Sequence, residues 1–257
     1  MRRFERYVAI GDSTVEGLDD PDGRGGYRGW ANRLAERIAR RQGHLLYANL
    51  AVRGRTTRAV LEEQLEPALA MKPDLAIVVT GTNDILRPRF DAEAVAGDIE
   101  RMQRAFIAAG AVALSFTLPD LTPVMPLARP LRDRIRAFAR ALVDAGARSG
   151  AMVIDFTAHP VASDPRLWSE DRLHANSLGH ARIAEALAHA LSLPDADSEW
   201  AAPLPERSPR GLSQVLADEL SWGRGYLLPW LWRHARGRSS GDGCLPKRPR
   251  LEPLTRD

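Results

Sequence analysis

Three short clusters in this chain carry side chains able to move protons or form acyl bonds. Gly11-Asp12-Ser13 lies near the N-terminus, Gly81-Thr82-Asn83-Asp84 in the middle, and Asp171-Arg172-Leu173-His174 near residue 170. Each alone has an ordinary explanation. Gly-Asp-Ser commonly closes a turn after a strand, Asn-Asp commonly brackets a helix start, and aspartate near histidine is commonly a surface pair. In this order they supply a nucleophile, an oxyanion donor and an acid–base pair. That combination points to serine-based acyl hydrolysis. A serine hydroxyl attacks poorly until a base removes its proton, and histidine titrates in the range such a base needs. His159 and His180 are the rival histidines, but neither has an aspartate three residues before it.

Such residues act together only if the fold brings them together. Five apolar runs read as strands: Tyr7 to Ile10, Leu45 to Ala48, Leu75 to Val79, Ala111 to Phe116 and Met152 to Ile154. They are nearly continuous rather than alternating, as expected of strands covered on both faces. Between them apolar residues recur at helical spacing, as in Trp30, Leu34, Ile38 and in Val95, Ile99, Met102, Phe106. Similar stripes run through Leu61, Leu65, Leu69, through Leu131, Ile135, Phe138, Leu142 and through Ile183, Leu187, Leu191. Alternating strands and one-sided helices predict a parallel α/β sheet with helices on both faces. Open sheets of this kind bind ligands at the C-terminal strand ends. Ser13, Gly54 and Asn83 each follow a predicted strand directly, and His174 follows the last at some distance.

The residues quoted resemble the motifs of the SGNH (GDSL-type) hydrolase superfamily: Gly-Asp-Ser, a glycine after the second strand, Gly-x-Asn-Asp and Asp-x-x-His. All occur in family order within about residues 6 to 191. The resemblance implies a flavodoxin-like three-layer α/β/α sandwich on a five-stranded parallel sheet. It implies catalysis by Ser13 as nucleophile, His174 as general base and Asp171 as its orienting partner. The backbone N–H groups of Ser13 and Gly54 and the side-chain amide of Asn83 would form the oxyanion hole. Thr14 stands where the family's motif has leucine, and Ala175 where proline often follows the histidine; neither removes a catalytic group. Asp12 and Asp84 are expected to hold their loops by hydrogen bonds to backbone amides, and Trp168 to pack beneath the Asp171 loop.

The substrate expected is a small-molecule carboxylic ester, with a thioester or an O-acetylated sugar as alternatives that the same triad would serve. A reading of another class, a non-catalytic binding or peripheral membrane module on the same fold, is disfavoured by the intact polar set. Arg53 and Arg87 flank the predicted site and are candidate contacts for an anionic group on the substrate. The other view of them is a solvated arginine-rich surface, since only Lys72 and Lys247 are lysines.

Composition narrows the classes further. The chain has 257 residues, 44% of them hydrophobic, enough for one domain with a full core. A net charge of +3 is too small to argue for a nucleic acid partner. Cys244 is the only cysteine, so no intrachain disulfide or cysteine-based metal site is expected. No His-Glu-x-x-His, Walker or dinucleotide motif occurs, and no metal or cofactor is expected. With no leader-like apolar core, the cytoplasm is the expected compartment. The hydrolase domain is expected over 1–193 and a Pro/Arg-rich extension over 194–257. In that extension Leu212, Leu216 and Leu220 predict a short amphipathic helix, and Tyr226 to Trp232 form an aromatic cluster. The cluster and the arginines around it suit either packing onto the domain or contact with an anionic membrane. Residues 236–257 are expected to be poorly packed.

Overall fold

The five apolar runs form five parallel strands in the computed structural model, which describes residues 3–206, 218–229, 232 and 240–255. They are β1 (Arg6–Gly11), β2 (His44–Asn49), β3 (Leu75–Val79), β4 (Val112–Phe116) and β5 (Met152–Ile154). Sheet order is β5-β4-β3-β1-β2, extended beyond β2 by a sixth strand, β6 (Arg248–Thr255). The helices are α1 (Ser13–Glu16), α2 (Gly29–Gln42), α3 (Thr57–Ala70), α4 (Thr82–Ile85), α5 (Ala92–Ala108), α6 (Arg132–Ser149) and α7 (Ser177–Ala190).

Side chains of each strand alternate between the two faces, and both faces are covered. Tyr7 and Ala9 of β1 join Leu75 and Ile77 of β3 in one core, closed by Trp30, Leu34 and Ile38 of α2 and Leu187 of α7. Val8 and Ile10 join Ala76 and Val78 in the other. There they meet Val60 of α3, Ile99, Met102 and Phe106 of α5, and Ile135, Phe138 and Leu142 of α6. Each predicted helical stripe is thus the buried face of a helix. The architecture is the expected three-layer α/β/α sandwich.

Two expectations need correction. The sheet has six strands, not five, and β6 runs antiparallel to β2, pairing Leu45 with Leu254 and Tyr47 with Glu252. Residues 248–255 are therefore not poorly packed. Pro249 and Pro253 argue against a central strand, but an edge strand has an unpaired side on which a missing N–H costs nothing. Of the amphipathic helix, Leu212 and Leu216 lie outside the described residues, as does Trp230 of the aromatic cluster. Leu220 lies in a helical segment over 218–229 that turns π-helical at Gly223–Leu227. Among the described residues no helix is long and apolar enough to cross a membrane.

Candidate active site

Ser13 stands immediately beyond β1, as the first residue of α1. Asp12 caps that helix: its carboxylate accepts from the Thr14 N–H at 3.0 Å. The preceding Gly11 is gripped by Gln64 of α3, whose side chain accepts the Gly11 N–H at 2.8 Å and donates to its carbonyl at 2.9 Å. As the first helical residue, Ser13 has no acceptor for its own N–H inside the helix. The Ser13 side chain is hydrogen-bonded to His174, with Oγ 2.8 Å from Nε2. On the far side of the ring, Nδ1 lies 2.6 Å from Asp171 Oδ2. The two motifs, 161 residues apart, thus meet in one hydrogen-bonded chain.

Asp171 is itself held. Its Oδ1 accepts the N–H groups of Leu173 and His174, both at 2.9 Å, and lies 2.6 Å from Ser169 Oγ. The Ser169 hydroxyl also lies 2.6 Å from Asp19 Oδ2. With one hydrogen to give, it serves one carboxylate at a time. Burial alone would raise the Asp171 pKa, but the hydrogen bond and charge of His174, with the backbone donors, hold it down at about 2. Burial likewise favours a neutral His174, yet the Asp171 hydrogen bond and charge prevail and its pKa is raised. Asp12 differs. It is fully buried, and burial pushes its carboxyl up to about 6 against the pull of the Thr14 N–H and of His174.

Gly54, whose N–H the sequence assigns to the oxyanion hole, follows β2 with φ of 76°, a left-handed conformation that suits glycine. No acceptor for that N–H occurs among the described residues. The loop is fixed by Glu16, which accepts the Arg53 N–H at 2.9 Å and grips the Arg53 guanidinium through Nε and Nη2. Arg53 also stacks on Tyr27, 5.2 Å from the ring centre. Its charge is therefore matched by the buried Glu16. Arg87 is exposed, with its carbonyl held by Arg134 Nη1 at 2.7 Å. Asn83 donates one amide hydrogen to the Arg55 carbonyl at 3.0 Å, and its Nδ2 lies 3.4 Å from Asp12 Oδ2. Asp84, as expected, holds a loop: it accepts from the N–H and the hydroxyl of Thr57 at 2.8 and 2.9 Å.

The rival histidines are used otherwise. His180 accepts the Trp30 N–H at Nδ1, 3.1 Å, and gives its Nε2 hydrogen to the Leu18 carbonyl at 2.9 Å. Burial pulls its pKa to about 4, so it is a neutral core residue. His159 packs edge-on to Trp200. Trp168 donates its Nε1 hydrogen to the Ala162 carbonyl at 3.0 Å, inside the loop before Asp171.

Sequence reasoning passed over Glu16, Gln64, Ser169 and Trp222. The Trp222 Nε1 hydrogen goes to the Asp171 carbonyl at 3.1 Å, and Arg172 stacks over the Trp222 ring at 4.8 Å. Only Glu16 carried a signal: a carboxylate one helical turn beyond the serine, in a stretch that otherwise reads as loop.

A parallel α/β sandwich with serine, histidine and aspartate joined at its C-terminal strand ends defines an acyl hydrolase of the serine class. The chain belongs to the GDSL-like lipase/acylhydrolase family, whose model matches residues 9–182, and it is an ester-bond hydrolase. The GDSL lipase Rv0518 of Mycobacterium tuberculosis is 31% identical over 206 residues, spanning 74% of this chain and 83% of that protein. Among solved structures, TesA is similar with a TM-score of 0.61 at 24% identity, over 73% of this chain and 98% of its own. The acetylxylan esterase Axe2 from Geobacillus stearothermophilus, solved as a catalytic mutant, is similar with a TM-score of 0.62 at 16% identity. That match spans 80% of this chain and 99% of its own.

Proposed function

We propose that the chain cleaves carboxylic esters through an acyl-enzyme, with Ser13 as nucleophile, His174 as base and Asp171 as the residue that orients it. The observation that carries this reading is the unbroken chain Ser13 Oγ–His174–Asp171, with links of 2.8 and 2.6 Å. Asp171, ionised at neutral pH, takes the Nδ1 hydrogen and leaves the Nε2 lone pair facing the Ser13 hydroxyl. His174 accepts that proton as Oγ attacks the ester carbon. The imidazolium formed is stabilised by Asp171 and then protonates the departing alkoxide. Water, deprotonated by the same nitrogen, next attacks the acyl-enzyme and releases the carboxylic acid and free Ser13.

The tetrahedral oxyanion needs fixed donors. The reading assigns this to the N–H groups of Ser13 and Gly54 and to the Asn83 amide; losing one such donor costs roughly 10²–10³ in turnover. With Arg53 bound to Glu16, Arg87 is left as the candidate contact for an anionic leaving group. Thioesters and O-acetylated sugars enter through the same chemistry and belong in the same assay.

The test is covalent labelling by diisopropyl fluorophosphate with p-nitrophenyl ester turnover measured alongside. Labelling is expected at Ser13 and is lost in Ser13→Ala, while turnover falls roughly 10⁴–10⁶-fold. Because His174 must be neutral to act, kcat/KM falls as pH drops through a midpoint above the ordinary histidine value. A folded protein that neither labels nor turns over ester is a binding module and not a hydrolase.

A further inference from the structure

Next to the Ser13–His174 pair lies an apolar cavity of about 60 Å³. Thr14, the residue after Ser13, and His174, hydrogen-bonded to it, form one part of its wall. Phe116, Phe156, Leu167 and Ile183 line it further on, and Trp200 completes the lining. Trp200 is 8% exposed and packs edge-on against Phe156, with ring centres 5.7 Å apart. Phe156 in turn packs edge-on against Phe116 at 5.2 Å. The Trp200 Nε1 hydrogen goes to His189, in the last turn of α7, whereas Gly179 and His180 line the cavity from the first turn. Trp200 therefore stands at the end of the cavity away from His174.

The cavity wall is mostly hydrocarbon. His180 spends both ring nitrogens on Trp30 and Leu18, and Arg182 Nη1 donates to the carbonyls of Glu199 and Ala202. What fits is aliphatic. At roughly 10–15 Å³ for each water-sized group, the volume holds about four to six carbon-sized units.

We propose that this cavity is the acyl-chain subsite, that it selects unbranched acyl groups of about four to six carbons, and that Trp200 is its stopper. The proposal rests on Ser13 being the nucleophile. It adds a specificity-determining residue outside the stretch matched by the family model, which ends at residue 182. An ester bound this way places its chain against Phe116 and Phe156.

The test is kcat/KM over p-nitrophenyl esters from acetate to dodecanoate, in wild type, Trp200→Ala and Ala162→Leu. In wild type the value should rise about fourfold for each methylene up to butanoate–hexanoate and then fall. Trp200→Ala opens the end and should move the optimum at least two carbons longer. Ala162→Leu fills the wall and should move it shorter. Circular dichroism checks folding, and Trp200→Leu replaces Trp200→Ala if the latter does not fold. An optimum at acetate or at decanoate and beyond overturns the proposal, as do folded, active variants whose profile matches wild type. Labelling of Ser13 by diisopropyl fluorophosphate separates the two levels. Labelling with an unmoved profile removes the subsite and keeps the hydrolase, whereas no labelling removes both.

Discussion

At Asp12, next to the nucleophile, stability and function pull in opposite directions. Its carboxyl is fully buried and sits at about 6, above the 3.8 of an exposed aspartate. The sign follows from linkage. Between those two values the folded state binds more protons than the unfolded one, so stability falls as pH rises through that window. Above it the full cost of a buried carboxylate is present, about 3 kcal/mol. Asparagine caps a helix as well as aspartate does and cannot ionise. Asp12→Asn should therefore raise the melting temperature by roughly 6–12 °C at pH 7 and by little at pH 4. Turnover should fall, because the Asp12 and His174 charges favour each other and the variant loses the anion that helps the imidazolium form. Thermal melts at the two pH values decide this, and an equal gain at both would contradict the burial argument. Such an exchange of stability for activity is what a functional site built around a buried charge implies.

Among the elements, α1 and its flanking loop are braced by the far end of the chain. Lys247 donates all three of its N–H groups to backbone carbonyls: Glu16 at 2.6 Å, Tyr27 at 3.1 Å and Arg28 at 2.9 Å. Burial pulls its pKa to about 8, which still leaves an ammonium at pH 7. Gly241 lies against the Arg53 carbonyl, where a Cβ would come within 1.8 Å, so the same segment supports the loop that presents Gly54. Lys247→Met leaves three carbonyls without their donor. It should cost about 2 kcal/mol and lower the melting temperature by roughly 4–8 °C. It should also lower kcat more than it raises KM, since α1 carries the nucleophile but only Thr14 of the subsite wall. A thermal melt and Michaelis kinetics check both parts; unchanged values would mean the cage is incidental. The sequence made the motif elements legible because each strand is an uninterrupted apolar run ending near a glycine or a polar motif. It could not reveal the brace. Lys247 meets α1 from 231 positions away, and Trp222 meets the Asp171 carbonyl from 51. No local periodicity encodes either meeting.

For the molecule as a whole, the sheet is completed by the segment whose composition argued most strongly against order. β2 is an internal strand only because β6 covers its outer edge. Arg-Pro-Arg-Leu-Glu-Pro-Leu-Thr has two prolines and three charges, so it reads as coil. It pairs nevertheless, since prolines are tolerated at an edge and its leucines divide between the two cores. Leu254 packs with the core closed by α2 and α7, and Leu251 with the core closed by α3, α5 and α6. The Arg248 guanidinium stacks over the Tyr47 ring at 5.6 Å. The prolines and charges also keep β6 from offering a regular edge to another chain. Without it, β2 would present unpaired backbone along Leu45 to Asn49, beside the buried apolar side chains of Leu45 and Tyr47. Deleting residues 248–257 keeps Lys247 and so separates the sheet edge from the brace at α1. The shortened chain should associate through β2 and sediment as larger species than the full chain at the same concentration. It should also melt at a lower temperature. Sedimentation velocity with thermal melts tests this directly: equal sedimentation and equal melting would mean that β6 is a passive appendage and that β2 is a stable edge by itself.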